Sequence, residues 1–152
     1  MCPILIVEDN PLLRGTIKGM LTTRFPSIMV EEASNAEEAL SEFEKINPCL
    51  IFMDIRLPDR SGLEITRTIK ETNPQIEIII LTSHDIPEYR EAAFRSGASH
   101  FLAKGNVKID DITSLAAFAM KADKKRKIGK SERKGSESKS YCPRGCLDSR
   151  FV

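Results

Sequence analysis

No run of apolar residues in this 152-residue chain approaches the roughly 18 that a membrane-spanning helix needs. The N-terminus has no basic stretch leading into an apolar one, so no secretory signal is expected. These absences point to the cytoplasm and to no membrane association. Cysteine is scarce: Cys2, Cys49, Cys142 and Cys146. The last two form a C-x3-C with no second pair and no nearby histidine, whereas zinc takes about four ligands, so no metal centre is expected there. A disulfide between them is compatible with the chain but not required in a reducing compartment. Cys49 lies in an apolar run and is expected as a buried thiol. No G-x4-G-K-[ST] stretch occurs, which excludes a P-loop nucleotidase.

What is present is ordinary in amount and uneven in placement. Hydrophobic residues make up 41% and charged residues 30%, which suits one soluble domain with a real core. Residues 1–120 carry 12 Lys+Arg against 18 Asp+Glu, and residues 121–152 carry 11 against 4. A body near −6 therefore precedes a tail near +7. The segment "KKRKIGKSERKGSESKS" is Lys/Ser/Gly-rich with almost no apolar residues, so residues 123–152 are expected to be a disordered basic tail or a linker remnant. Such a tail can bind nucleic acid; a solvated linker is the simpler alternative, since no aromatic residues interleave the charges.

Along the body, strand-like and helix-like stretches alternate. "PILIV" (3–7) reads as a strand, and Asn10-Pro11 then opens a helix with an N-cap followed by proline. Leu12, Leu13, Ile17, Met20 and Leu21 would share one face of that helix, which runs to about Phe25. "IMVEEA" (28–33) is a second strand. Ser34 and Glu37 have the spacing of a capping box, before a helix to about Ile46. "CLIFM" is the third strand, and Ser61 with Glu64 repeats the capping spacing. "IEIIILT" (76–82) is the fourth strand. Asp85, Pro87 and Glu88 open a helix that Gly97 stops. "HFLA" (100–103) is the fifth strand, and an amphipathic helix spans 109–122. Five β–α repeats with near-continuous apolar strands predict an α/β domain over residues 1–122, a parallel sheet with helices on both faces. Ligands of such sheets lie beyond the C-terminal ends of the strands.

The residues at those ends are Glu8 and Asp9, Asp54, Thr82, and Lys104. Any one of them is ordinary, because polar residues belong at strand ends. Together they would bring three carboxylates, a hydroxyl and an ammonium to one edge. Clustered carboxylates repel unless a cation joins them, and oxygen donors with retained waters suit Mg2+. An Asp beside magnesium suits phosphoryl transfer, with Asp54 as nucleophile, Lys104 neutralising phosphoryl charge and Thr82 donating a hydroxyl.

In order and spacing, "ILIVEDNP", "IFMDIRLPDRSGLE", "IIILTS" and "GASHFLAKG" resemble the receiver domains of two-component response regulators, over residues 3 to about 122. The resemblance implies the flavodoxin-like strand order 2-1-3-4-5. It implies that Asp54 accepts phosphate from a sensor histidine kinase or a phosphotransfer protein, in a self-catalysed switch that is not a metabolic enzyme. Glu8, Asp9, Asp54 and the backbone carbonyl of Arg56 match the magnesium ligands, and Thr82 and Phe101 match the switch pair. Pro58 and Gly62 match the loop after the acceptor. The switch would alter the face of the fourth helix, fifth strand and last helix (α4-β5-α5), a possible homodimer surface, as Thr82 moves and Phe101 turns inward. The alternative for Phe101 is a plain core residue, and Arg56 and His84 either tune the phosphoryl lifetime or are simply exposed. Gly105 follows Lys104 where proline is common, so the chain looks nearest to receivers with a helix-turn-helix output. No such output follows in these residues; nucleic acid would be bound only through an output domain or the basic tail.

Three rivals are weaker. A haloacid dehalogenase-type phosphatase wants a second carboxylate two residues after the nucleophile, and position 56 is Arg. A flavodoxin-like cofactor binder wants a phosphate loop after strand 1, and "EDNP" carries the wrong charge. A degenerate receiver, serving only as a binding module, would lack one of the acidic pair, the acceptor Asp or the lysine; a stand-alone phosphorelay module with no switch output stays as the alternative.

Overall fold

A computed structural model of the protein describes residues 2–133. Of the described residues, those up to Met120 form one compact unit and those from Lys121 belong to a second. In the first, β1 (Ile4–Val7), β2 (Val30–Ala33), β3 (Leu50–Asp54), β4 (Glu77–Thr82) and β5 (His100–Ala103) alternate with α1 (Pro11–Arg24), α2 (Ala36–Ile46), α3 (Gly62–Thr72) and α4 (Pro87–Arg95). A 3-10 turn, Lys104–Asn106, precedes α5 (Ile109–Arg133). All four strand pairings are parallel, in the order β2-β1-β3-β4-β5, as expected.

Alternation along each strand sorts the core onto two faces. Leu5, Val7, Ile51, Met53, Ile78 and Ile80 pack on one side with Ala39, Phe43, Ile65, Ile69 and Ala93 from α2, α3 and α4. Ile4, Ile6, Leu50, Phe52, Ile79 and Leu81 pack on the other with Ile17, Leu21, Ile112 and Ala116 from α1 and α5. Strands covered on both faces have no side left for water, which is why they read as unbroken apolar runs.

Local details depart from the sequence reading. The cap of α2 is Asn35, whose side chain accepts from the Glu38 N–H at 2.8 Å, one residue on from the expected Ser34. Ser34 instead gives its N–H and its hydroxyl to Glu38. Ser61 caps α3 as expected, but Glu64 pairs with Arg60. Leu12, expected on the buried face of α1, is 82% exposed. Helix α5 continues through 123–133, where a disordered tail is expected. The apolar pattern stops where burial stops, whereas Lys and Arg remain good helix formers. Residues 134–152, with Cys142 and Cys146, lie outside the described residues. Cys49 is buried, but its sulfur is in bonding contact with that of Cys2 rather than a lone thiol. Parallel pairing of β1 with β3 puts these distant residues side by side.

One glycine is dictated by a close approach. Gly62 opens α3 against the end of β3, and its N–H donates to the Ile55 carbonyl at 2.7 Å. A Cβ there would collide with the backbone carbonyl of Asp54. Gly15 and Gly19 in α1 have nothing within 4 Å of the equivalent point. Gly62→Ala should therefore destabilise the domain by about 1–3 kcal/mol, while Gly15→Ala should be neutral or stabilise by about 0.5–1 kcal/mol. Urea melts of the two variants check this; equal and small effects would mean that α3 does not approach β3 so closely.

Candidate functional site

The reversal of strand order at β1 opens a crevice beyond the ends of β1 and β3,. Glu8 and Asp9 leave β1 there, and Asp54 is the last residue of β3. Ligand oxygens of Glu8, Asp9 and Asp54 lie within 4.8 Å of one another, with Glu8 and Asp54 buried and Asp9 exposed. Lys104, from the turn after β5, places Nζ 2.8 Å from Glu8 Oε1 and 3.2 Å from Asp54 Oδ2. Four of the predicted residues thus converge.

The electrostatics are strained by burial. Desolvation pushes the Asp54 carboxyl above the ordinary range, against the opposing pull of Lys104, and the Asp9 charge adds to the rise. Glu8 is raised for the same first reason, with Lys104 and the Asn10 N–H opposing. Burial alone would lower Lys104, but the two carboxylates outweigh it and hold the ammonium charged to higher pH. Glu8 Oε1 is buried without a well-aligned hydrogen bond, although the Lys104 ammonium is close. One ammonium shared by two buried carboxylates, with a third beside them, leaves negative charge unneutralised. A hard divalent cation fits this all-oxygen donor set.

The loops that carry these groups are tied down by residues whose role only the fold reveals. Arg14 donates to the Glu8 carbonyl at 2.7 Å and to Glu32 Oε1 at 2.9 Å, clamping α1 to β1 and β2. Asp59, in the loop after Asp54, accepts from the Ala36 and Glu37 N–H groups at 2.8 and 3.1 Å. It caps α2 from 22 or 23 residues away, and those backbone donors hold its carboxyl below the usual range. A bridge between Arg56 and Ser61 closes the same loop, and the Arg56 N–H reaches Asp54 Oδ1 at 3.3 Å. No local sequence signal separates Asp59 from any loop aspartate.

Thr82 is buried, and its hydroxyl accepts from the His84 N–H at 3.0 Å. Phe101 is buried in the core beside β4, with the Arg90 guanidinium 4.8 Å from its ring centroid. Its ring packs inward in this structure. Arg56 donates to the Tyr89 hydroxyl at 3.4 Å, and His84 lies edge-on to the same ring. These contacts span the mouth of the site.

Residues 4–117 match the family described as response regulator receiver domain. The chain belongs to that family. It is 33% identical over 101 residues to the transcriptional regulatory protein DegU of Brevibacillus brevis, covering 66% of this chain and 43% of DegU. It is also 33% identical over 101 residues to the chemotaxis protein CheY of Halobacterium salinarum, covering 66% of this chain and 82% of CheY. A Burkholderia pseudomallei response regulator, solved with a phosphorylated aspartic acid, a calcium ion and citrate, superposes with a TM-score of 0.69 at 26% identity, over 87% of this chain and 75% of that one. The chain spans about half the length of the curated transcriptional regulators it matches. A receiver domain is a phospho-acceptor module of two-component signalling; its phosphoryl uptake and release are self-catalysed and do not turn over an external metabolite. Among the described residues no helix is long and apolar enough to cross a membrane.

Because burial makes an ionised Asp54 costlier in the folded site than in water, removing the charge should help the fold. Without divalent cation at pH 7, Asp54→Asn should raise stability, on the order of 1 kcal/mol. The raised Glu8 and Asp54 carboxyls also set a pH sign: the native state holds protons that the unfolded chain has released. Cation-free stability should therefore fall as pH rises from about 4 through the raised values. Denaturant melts across pH check both; a destabilised Asp54→Asn would show that the Lys104 pair outweighs burial.

Proposed function

We propose that Asp54 is the phospho-acceptor and that a sensor histidine kinase, or a phosphotransfer protein, is the donor. The observation that carries this is the position of Asp54, at the rigid end of β3 between the Lys104 ammonium and the acidic pair. An Asp54 carboxylate oxygen attacks phosphorus, the new P–O bond forms, and the bond to the donor histidine nitrogen breaks. Lys104 stays beside Oδ2 and balances charge on the phosphoryl oxygens. Glu8, Asp9, Asp54 and the Arg56 carbonyl would hold Mg2+, which when bound neutralises phosphoryl charge as a Lewis acid. The Burkholderia relative, with its phosphorylated aspartic acid and calcium ion, supports a cation beside such an acceptor.

Thr82 then leaves the His84 N–H and gives its hydroxyl to a phosphoryl oxygen. Phe101 is already packed inward, so burying its ring supplies no further driving force. The change falls instead on residues 83–86 and α4, which lose the Thr82 anchor, and it alters the α4-β5-α5 face where a second copy or a partner would dock. The module acts in the cytoplasm. Its output is transcription, through a helix-turn-helix domain outside these 152 residues. The likeness to several transcriptional regulators supports this. The likeness to CheY, of which 82% is covered, favours a second reading, a stand-alone switch.

Acetyl phosphate with magnesium should add one base-labile phosphoryl group to Asp54, located by mass spectrometry and absent from Asp54→Asn. Full labelling of that variant would place the acceptor elsewhere. Asp9→Asn should weaken magnesium binding by about tenfold or more, read by calorimetric titration. Hydrogen exchange over residues 83–95 should change with beryllofluoride, and identical exchange in both states would leave a relay without a switch.

A further inference from the structure

Cys2 and Cys49 take no part in the acidic site. Cys2 precedes β1 and Cys49 precedes β3, at the ends of the strands away from Asp9 and Asp54. The two strands are parallel neighbours, with Ile4 beside Leu50, and the Cys49 N–H donates to the Pro3 carbonyl at 3.0 Å. This pairing brings the two Cα atoms to 5.5 Å across a sequence separation of 47. A disulfide forms without backbone movement when Cα atoms are roughly 4.4–6.8 Å apart. Both residues are buried, at 6% and 5% exposure, so a closed bond is sheltered from small thiols.

We propose that Cys2 and Cys49 are a thiol–disulfide site, closed by a low-molecular-weight disulfide such as glutathione disulfide. The Cys2 thiolate attacks one sulfur of the oxidant and expels a thiolate, leaving a mixed disulfide. The Cys49 thiolate then attacks the Cys2 sulfur and expels the second thiolate. Two thiols become one S–S bond, their protons pass to solvent, and the oxidant is reduced by two electrons to two thiols. Both cysteines lie outside their strands, where opening costs less than within them, so the order of the two attacks can equally be reversed,. The link ties β1 to β3, the strands that carry the acidic pair and Asp54. It restricts the unfolded chain over a long loop and so stabilises the fold. The site stands the length of β1 away, on the order of 13 Å for four residues, and keeps its geometry.

The test uses the full chain with Cys142→Ser and Cys146→Ser, equilibrated natively with reduced or oxidised glutathione. Oxidation should lower the intact mass by two hydrogens, and digestion should recover a Cys2–Cys49 cross-linked peptide. The thermal midpoint should rise by about 5 °C or more over the reduced form. Cys49→Ser should lose both effects. Labelling of Asp54 by acetyl phosphate should proceed equally in both forms, which separates this site from the phosphoryl reading. Two free thiols after oxidation, a persistent glutathione adduct, a cross-link between chains, or a cross-link without added stability would each overturn it.

Discussion

Three carboxylates at the ends of two core strands are the constraint around which the domain is arranged. Glu8 and Asp54 are buried, and burial of a charge is costly unless a counter-charge shares the site. Lys104 supplies it, reaching Glu8 and Asp54 together from the turn after β5. That single ammonium joins the end of the last strand to the ends of β1 and β3. It balances part of the negative charge and leaves the rest unneutralised, in an all-oxygen set that suits a divalent cation,. The raised carboxyls of Glu8 and Asp54 record the same incompleteness. Such a site costs stability that an apolar one would not.

Holding such a site needs anchors away from it. Arg14 binds the Glu8 carbonyl to α1 and, through Glu32, to β2. Asp59 binds the loop after Asp54 to the first turn of α2. Gly62 lets α3 begin against the Asp54 carbonyl. Each restrains a loop through backbone groups, which are fixed by secondary structure and therefore do not drift with side-chain motion. The mouth is treated differently. Thr82 holds only the backbone of its own loop, and Tyr89 meets Arg56 through one long hydrogen bond. Firm contacts surround Asp54, and weaker ones lie around Thr82 and Tyr89.

Much of this was legible in the sequence, for a physical reason. Strands covered on both faces must be apolar, so the runs of β1, β3 and β4, with two shorter mixed strands and amphipathic stretches between them, define a parallel sheet before any contact is known. A strand end is also a place in space, so Glu8, Asp9, Asp54 and Lys104 could be assigned to one edge from their positions alone. Caps and breakers act within a few residues, which is why Asn10, Pro11, Ser61 and Gly97 marked real boundaries. The cap of α2 was misplaced by one residue, because Ser34 and Asn35 are both competent and only the exit path from β2 selects between them.

What the sequence by itself determined is the alternation, the two core faces and the gathering of acidic and basic groups at one edge; each follows from periodicity or from proximity along the chain. Tertiary structure alone decided the long-range pairings. Asp59 caps a helix that precedes it by more than 20 residues, Cys2 meets Cys49 across 47, and Arg90 covers the ring of a Phe101 that is already turned inward. No spacing rule reports such contacts, because they depend on which strands become neighbours and how far each helix is rotated against the sheet. Those choices are made by the packing of the whole core and not by any segment within it.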